Sequence, residues 1–204
     1  MDRTLDLAHR LARIGAWAGG ALVILAAFVI GLDIVVRKLF VLAFGGAAEL
    51  SGYVLAIASS WAFALALLDR AHIRIDSLYV HLPVRVCAML DVLGLLVMLA
   101  LAALLTWQGW HVFFQSWNLG SRAVTALATP LAYPQFLWLV GLAYFALVTA
   151  LLLVRATHAL VTGDIATVQR IAGSRTGQQD LEEELESIRR RGGGSGGDTA
   201  ENHP

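Results

Sequence analysis

Asp69-Arg-Ala-His-Ile-Arg-Ile-Asp-Ser-Leu-Tyr-Val-His-Leu82 is a short charged stretch set between two long apolar ones. Upstream, Leu50–Leu68 carries no charge; downstream, Val86–Trp107 carries only Asp91. So brief a polar segment between flanks so apolar makes sense if the flanks cross a bilayer. The alternation His72-Ile73-Arg74-Ile75-Asp76 is also an unusual way to build a plain polar turn.

Along the whole chain, four windows are apolar enough to span about 30 Å of hydrocarbon as helix: 14–36, 50–68, 86–107 and 131–154. None alternates with the period of a strand. A backbone left unpaired in lipid is too costly for anything but a helix or a closed barrel. The expected fold is therefore an all-α integral membrane protein of four transmembrane helices, with a short interfacial segment between the second and third. Composition agrees, since 58% of the 204 residues are hydrophobic and 15% are charged, against about 25% charged in a soluble domain. Fifteen basic residues balance fifteen acidic ones, so net charge points to no nucleic acid. The single cysteine, Cys87, excludes an intramolecular disulfide. The apolar run from Ile14 to Val36 exceeds a usual signal-peptide core and lacks a clear cleavage pattern, so it reads as an uncleaved anchor.

Basic residues predict the orientation. Arg3, Arg10, Arg13, Arg70, Arg74, Arg85, Arg155 and Arg170 fall on one side, and Arg37, Lys38 and Arg122 on the other. Both termini and the Asp69–Leu82 stretch are thus expected to face the cytoplasm. The organisation that follows is a cytoplasmic N-terminus over 1–13, a four-helix membrane domain over 14–162 and a cytoplasmic tail over 163–204. Leu181, Leu185 and Ile188 recur at helical spacing, and Gly192-Gly-Gly-Ser-Gly-Gly197 reads as flexible linker, so the tail is expected to be partly helical and then disordered. Trp107, Trp110, His111, Phe114 and Trp117 suit an outer membrane–water interface. Pro130 and Pro134 suit the start of the fourth helix, where proline costs least.

Ionisable groups at membrane depth need partners or a wet surface. Asp33 and Arg37 are four residues apart on one helical face, and Glu49 opens the second span at similar depth. A cluster of Asp33, Arg37 and Glu49 is expected, and fixing the first helix against the second is a better reading of it than ion transport. Asp91 is expected to reach the surface or meet Arg85. Gly15 and Gly19, with Gly52, Ala56, Ser60 and Ala64, permit close helix approach. Trp61 reads as packing. Catalysis finds little support: no His-x-x-x-His, Cys-x-x-Cys or phosphate-binding glycine loop occurs. No catalytic, cofactor-binding or metal residue is therefore assigned, and the chain does not read as an enzyme.

The order of these features resembles the small permease subunit, of DctQ type, of tripartite ATP-independent periplasmic (TRAP) transporters. The residues that carry the resemblance are Asp33-Ile-Val-Val-Arg37, Glu49-Leu50, His72-Ile-Arg-Ile-Asp76, Leu82-Pro83, Thr129-Pro130-Leu131, Pro134-Gln135 and Gly141. It covers roughly Ile14 to Gly163. Lys38 stands where the family often has an aromatic, Val41 where it often has Asn, and Ala62 where it often has Gly. The resemblance implies an inner-membrane subunit of a three-part importer of organic acids or similar small solutes. A periplasmic binding protein delivers the solute, and a large permease subunit carries it, driven by a sodium gradient whose ion sites lie in that large subunit. The small subunit would be a scaffold in the lipid bilayer, without a cofactor of its own.

Within that frame His72, Arg74, Asp76 and Arg85 are structural or interface candidates, together with Asp33, Arg37 and Glu49. Ile73, Ile75, Leu78, Tyr79 and Leu82 supply apolar area for a short helix lying in the membrane interface, and a snorkelling loop reads equally well. A membrane anchor subunit of a redox enzyme is the competing function, and a Soret band from bound haem would distinguish it. A small transporter acting alone would be expected to show internal repeats, which this sequence lacks.

Overall fold

The computed structural model of the chain describes residues 2–40, 45–69, 82–125, 127–164 and 167. Among them are four helices: α1 (Asp2–Phe40), α2 (Ala47–Leu68), α3 (Val84–Leu119) and α4 (Ala132–Val161). All four are long and apolar enough to cross a membrane. The described residues contain no strand; Arg122 and Pro130 alone form an isolated antiparallel bridge. The chain is an all-α membrane protein with the four expected crossings.

Each expected window lies inside a helix, apart from Leu131 one residue before α4, but two helices run well past theirs. The 39 residues of α1 and the 36 of α3 correspond to about 58 and 54 Å of helix, nearly twice the hydrocarbon thickness of about 30 Å. Hydropathy marks where side chains become polar, whereas a helix stops only where its backbone bonding is interrupted. Gly120 provides such a stop for α3. It is left-handed at φ 57°, and the Gly120 and Ser121 amides turn back to the carbonyls of Trp117 and Ser116. Gly163 ends α4 in the same way, its own amide donating to Leu160 and that of Asp164 to Ala159. At the start of α4, Pro130 precedes the helix and Pro134 sits in its first turn, as expected.

Among the helix pairs, α2 packs on α1 and on α4, and α3 packs on α4. The order across the molecule is therefore α1, α2, α4, α3. The centre belongs to α4, whose Leu142, Phe145, Val148, Leu152 and Ala156 are buried. Ala8 and Ala12 of α1, Ala64 of α2, and Leu95 and Ala102 of α3 complete that core. Ala8 and Ala12 lie in the segment read from sequence as a cytoplasmic N-terminus; here it continues α1 and packs on the bundle.

Lipid is as apolar as these side chains, so helices associate by close packing rather than by escape from water. Small residues supply the closeness. A Cβ on Gly19 would lie 2.9 Å from Ala58 Cα, and one on Gly15 would lie 2.5 Å from the Trp61 ring. On α2 the expected small-residue face divides. Ser60 and Ala64 are buried, whereas Gly52 and Ala56 are exposed, with nothing within 4 Å of the position of a Gly52 Cβ. Trp61 does pack, as expected. Its Nε1–H donates to Leu137 O at 3.2 Å, and its ring stacks on Tyr144 with centroids 6.0 Å apart.

The interfacial segment with His72, Arg74 and Asp76, the helix expected near Leu181–Ile188 and the glycine-rich linker all lie outside the described residues.

Candidate functional site

Polar side chains gather at the end of the bundle where α1 finishes, α2 begins and the 120–131 connection joins α3 to α4. Asp33 is one helical turn before Arg37, and Arg37 Nη2 donates to Asp33 Oδ2 at 2.6 Å. The Asp33 side chain is only 3% exposed while that of Arg37 is 60% exposed, so the aspartate is held inside by a cation at the surface. Burial at that depth without a partner would be costly.

Glu49 does not complete the expected three-residue cluster. Its Oε1 accepts from the Tyr53 hydroxyl at 2.8 Å, its Oε2 accepts from the Thr125 hydroxyl, and Thr129 also bonds to it. The carboxylate thus fastens the α3–α4 connection to the first turn of α2. That connection is already folded on itself. Ala123 N donates to Thr129 O and Leu131 N to Ser121 O, both at 3.0 Å, and Arg122 reaches the Ala128 carbonyl at 3.3 Å. Ala128 holds a left-handed φ of 45°, an unusual angle for alanine. Leu127 seats directly against Gly46, in space that a side chain on Gly46 would occupy. Expected and observed clusters differ because helical spacing reports neighbours on one helix only. Asp33 and Arg37 are such neighbours; Thr125 is 76 residues from Glu49.

The opposite end is tied differently. His9 Nε2 lies 2.8 Å from Asp69 Oδ1, joining the start of α1 to the end of α2. The Tyr144 hydroxyl donates to Ala8 O at 2.5 Å, joining α4 to α1. Neither tie was anticipated from the sequence, since each links residues far apart in the chain. Arg85 lies exposed in the first turn of α3, and Asp91 is 2% exposed, so this aspartate stays within the bundle rather than reaching the surface.

The aromatic residues of α3 meet at helical spacing, Trp107 with His111 and a second group around Trp110 and Phe113. In that group Trp110 meets Phe114, and Phe113 meets both Trp117 and Phe136 of α4. Trp107, Trp110 and Trp117 remain largely exposed. Among the described residues no group of three or more His, Cys, Asp or Glu side chains is arranged to hold a metal.

Four unbroken spans, joined through small residues and capped by polar ties, define a helical membrane subunit with broad apolar outer faces. Residues 11–159 match the family described as "Tripartite ATP-independent periplasmic transporters, DctQ component". The chain belongs to this family and is the small membrane subunit of a TRAP transporter, a multi-pass inner-membrane protein. The family works with a large permease subunit and a periplasmic binding protein. No curated protein and no solved structure matches the chain.

Proposed function

We propose that this chain is the stationary scaffold of its transporter: it holds the large permease subunit while that subunit moves solute. The observation that carries the reading is a contrast between inside and outside. Inside, α1, α2 and α4 approach closely at Gly15, Gly19 and Gly141. Outside, only 11% of the apolar window of α1 is buried, against 39% for α4. Tight internal packing resists deformation, and exposed apolar faces suit lipid or another membrane subunit. The described helices are continuous, unlike the interrupted helices that build ion sites in many transporters. In this reading the sodium sites and solute site belong to the large subunit, and the cargo is an organic acid or similar small solute. Both termini face the cytoplasm, and the Glu49-bound connection offers the binding protein a surface on the periplasmic side. His72, Arg74, Asp76 and Arg85 then brace the cytoplasmic face.

A tether tests the scaffold role. Cysteines replacing His9 and Asp69, in a Cys87→Ala background, are bridged by a short thiol cross-linker within the whole reconstituted transporter. Uptake after bridging is expected to stay within about twofold of the unbridged rate, because a static pair of helices has no motion to lose. Loss of uptake with the complex still assembled would show that α1 and α2 move, and the scaffold reading would fall.

A further inference from the structure

A groove open to the outside runs along the α1–α2 pair. Its wider part, about 540 Å³, is lined by Ile30, Asp33, Ile34, Arg37 and Lys38 of α1 and by the first turns of α2. A second part of about 280 Å³ extends it along Val23, Ala26 and Ala27 of α1 and Gly52 and Leu55 of α2, with Ile30, Ala48 and Ser51 common to both. From Lys38 back to Val23 the groove follows about 22 Å of helix. That length exceeds the half-thickness of a bilayer core, about 15 Å, and is enough for one acyl chain.

The groove is polar at one end only. Arg37 and Lys38 occupy the last turn of α1, where the helix leaves its apolar window. Asp33 offsets one of these charges. Glu49 does not line the groove, because Tyr53 and Thr125 engage its carboxylate on the side of the α3–α4 connection. Two cations therefore face one carboxylate at the mouth. Arg37 retains donors for a second acceptor, since a guanidinium offers five and its side chain is 60% exposed. Beyond the mouth the walls are Ala, Ile, Val and Leu with Ser51, whose hydroxyl donates to the Ala48 carbonyl, and Gly52 leaves open space.

The ligand that fits is an amphiphile with a negative head and an apolar tail. A transmembrane helix laid here would cover Arg37, Lys38 and Asp33 with apolar side chains, at a cost in desolvation. A phospholipid satisfies both ends at once. We propose that the groove seats a glycerophospholipid with an anionic headgroup, its phosphate at Arg37 and Lys38 and one acyl chain along Ile30, Ala26 and Gly52. The site stands independently of the scaffold role.

Two measurements on the whole transporter test it. First, a photoreactive benzoylphenylalanine replaces Leu55, which is 63% exposed and lines the groove, and the complex is irradiated in membranes containing phosphatidylglycerol. An adduct of phospholipid mass is expected; a polypeptide adduct, or none, would overturn the proposal. Second, native mass spectrometry follows phosphatidylglycerol retained by wild type, Lys38→Gln and Gly52→Leu. Removing one lysine near the phosphate is expected to lower retention about fivefold. Filling the groove at Gly52 is expected to lower it at least as much, without affecting assembly. Retention unchanged in either variant would reduce the bound lipid to ordinary boundary lipid and refute the site.

Discussion

Glu49 illustrates how much one carboxylate organises. It opens α2, yet it holds a connection from the other half of the chain through the Thr125 hydroxyl, with Tyr53 adding a bond from its own helix. Carboxylate acceptors form the stronger class of hydrogen bond, and the carboxylate carries three hydroxyl partners here. Replacing Glu49 by Ala is expected to loosen the 121–131 connection. Hydrogen exchange at the Ala123 and Leu131 amides, both bonded within that connection, should accelerate about tenfold. Thr125→Val should reproduce part of the effect, and combining the two should add little, because both remove the same bond. Unchanged exchange in Glu49→Ala would show that the connection is held by Leu127 on Gly46 instead. The Asp33–Arg37 pair was legible in the sequence, since four residues on a helix bring side chains together whatever surrounds them. The partners of Glu49 were not, because no local rule relates residue 49 to residue 125. Only the Glu49–Tyr53 spacing was available as a signal.

At the scale of elements, glycines within the spans have different tasks, which neighbouring sequence does not distinguish. Gly141 faces Ser60 and Trp61, and a Cβ there would lie 2.9 Å from Trp61 Cδ1 and closer still to the Ser60 hydroxyl. Gly31 has nothing within 4 Å. Gly141→Ala is therefore expected to destabilise the bundle by about 1–3 kcal/mol through overpacking, displacing Trp61 from Leu137. Gly31→Ala is expected to be neutral or slightly stabilising, as alanine is the better helix former. Unfolding in mixed micelles, followed by tryptophan fluorescence, compares the two; equal effects would contradict the packing of α2 on α4. Helix existence and rough position were readable from hydropathy, but helix length was not. The ends of α1 and α3 are polar enough to end an apolar window and still remain helical. Where the stops are described, they depend on backbone geometry, as at Gly120 after α3 and Gly163 after α4.

For the whole molecule, the arrangement α1, α2, α4, α3 leaves the outer helices with one principal neighbour each. Large apolar side chains such as Trp17, Ile24 and Phe28 of α1 and Leu93, Val97 and Leu101 of α3 are exposed. Stability should then depend on what covers those faces. Co-purified with its large subunit, the chain is expected to unfold at a higher temperature than alone in the same detergent, by several degrees. The mass-action effect of a partner held well above its dissociation constant is about 2.7 kcal/mol at a hundredfold excess. Differential scanning with a fluorophore on this chain measures it; identical midpoints would mean that the exposed faces meet lipid alone.

By itself the sequence determined that the chain spans a membrane four times as helices, and the order of its motifs matched a family. Both follow from rules that act locally: lipid admits no unpaired backbone, and apolar length must match hydrocarbon thickness. Tertiary structure alone decided that α4 is central, that Trp61 bridges α2 and α4, and that Glu49 serves the α3–α4 connection rather than Arg37. In lipid every apolar face is equally soluble, so hydropathy carries no information on which faces meet. That choice rests on shape, glycine against tryptophan and carboxylate against distant hydroxyls, and shape exists only once the helices are packed.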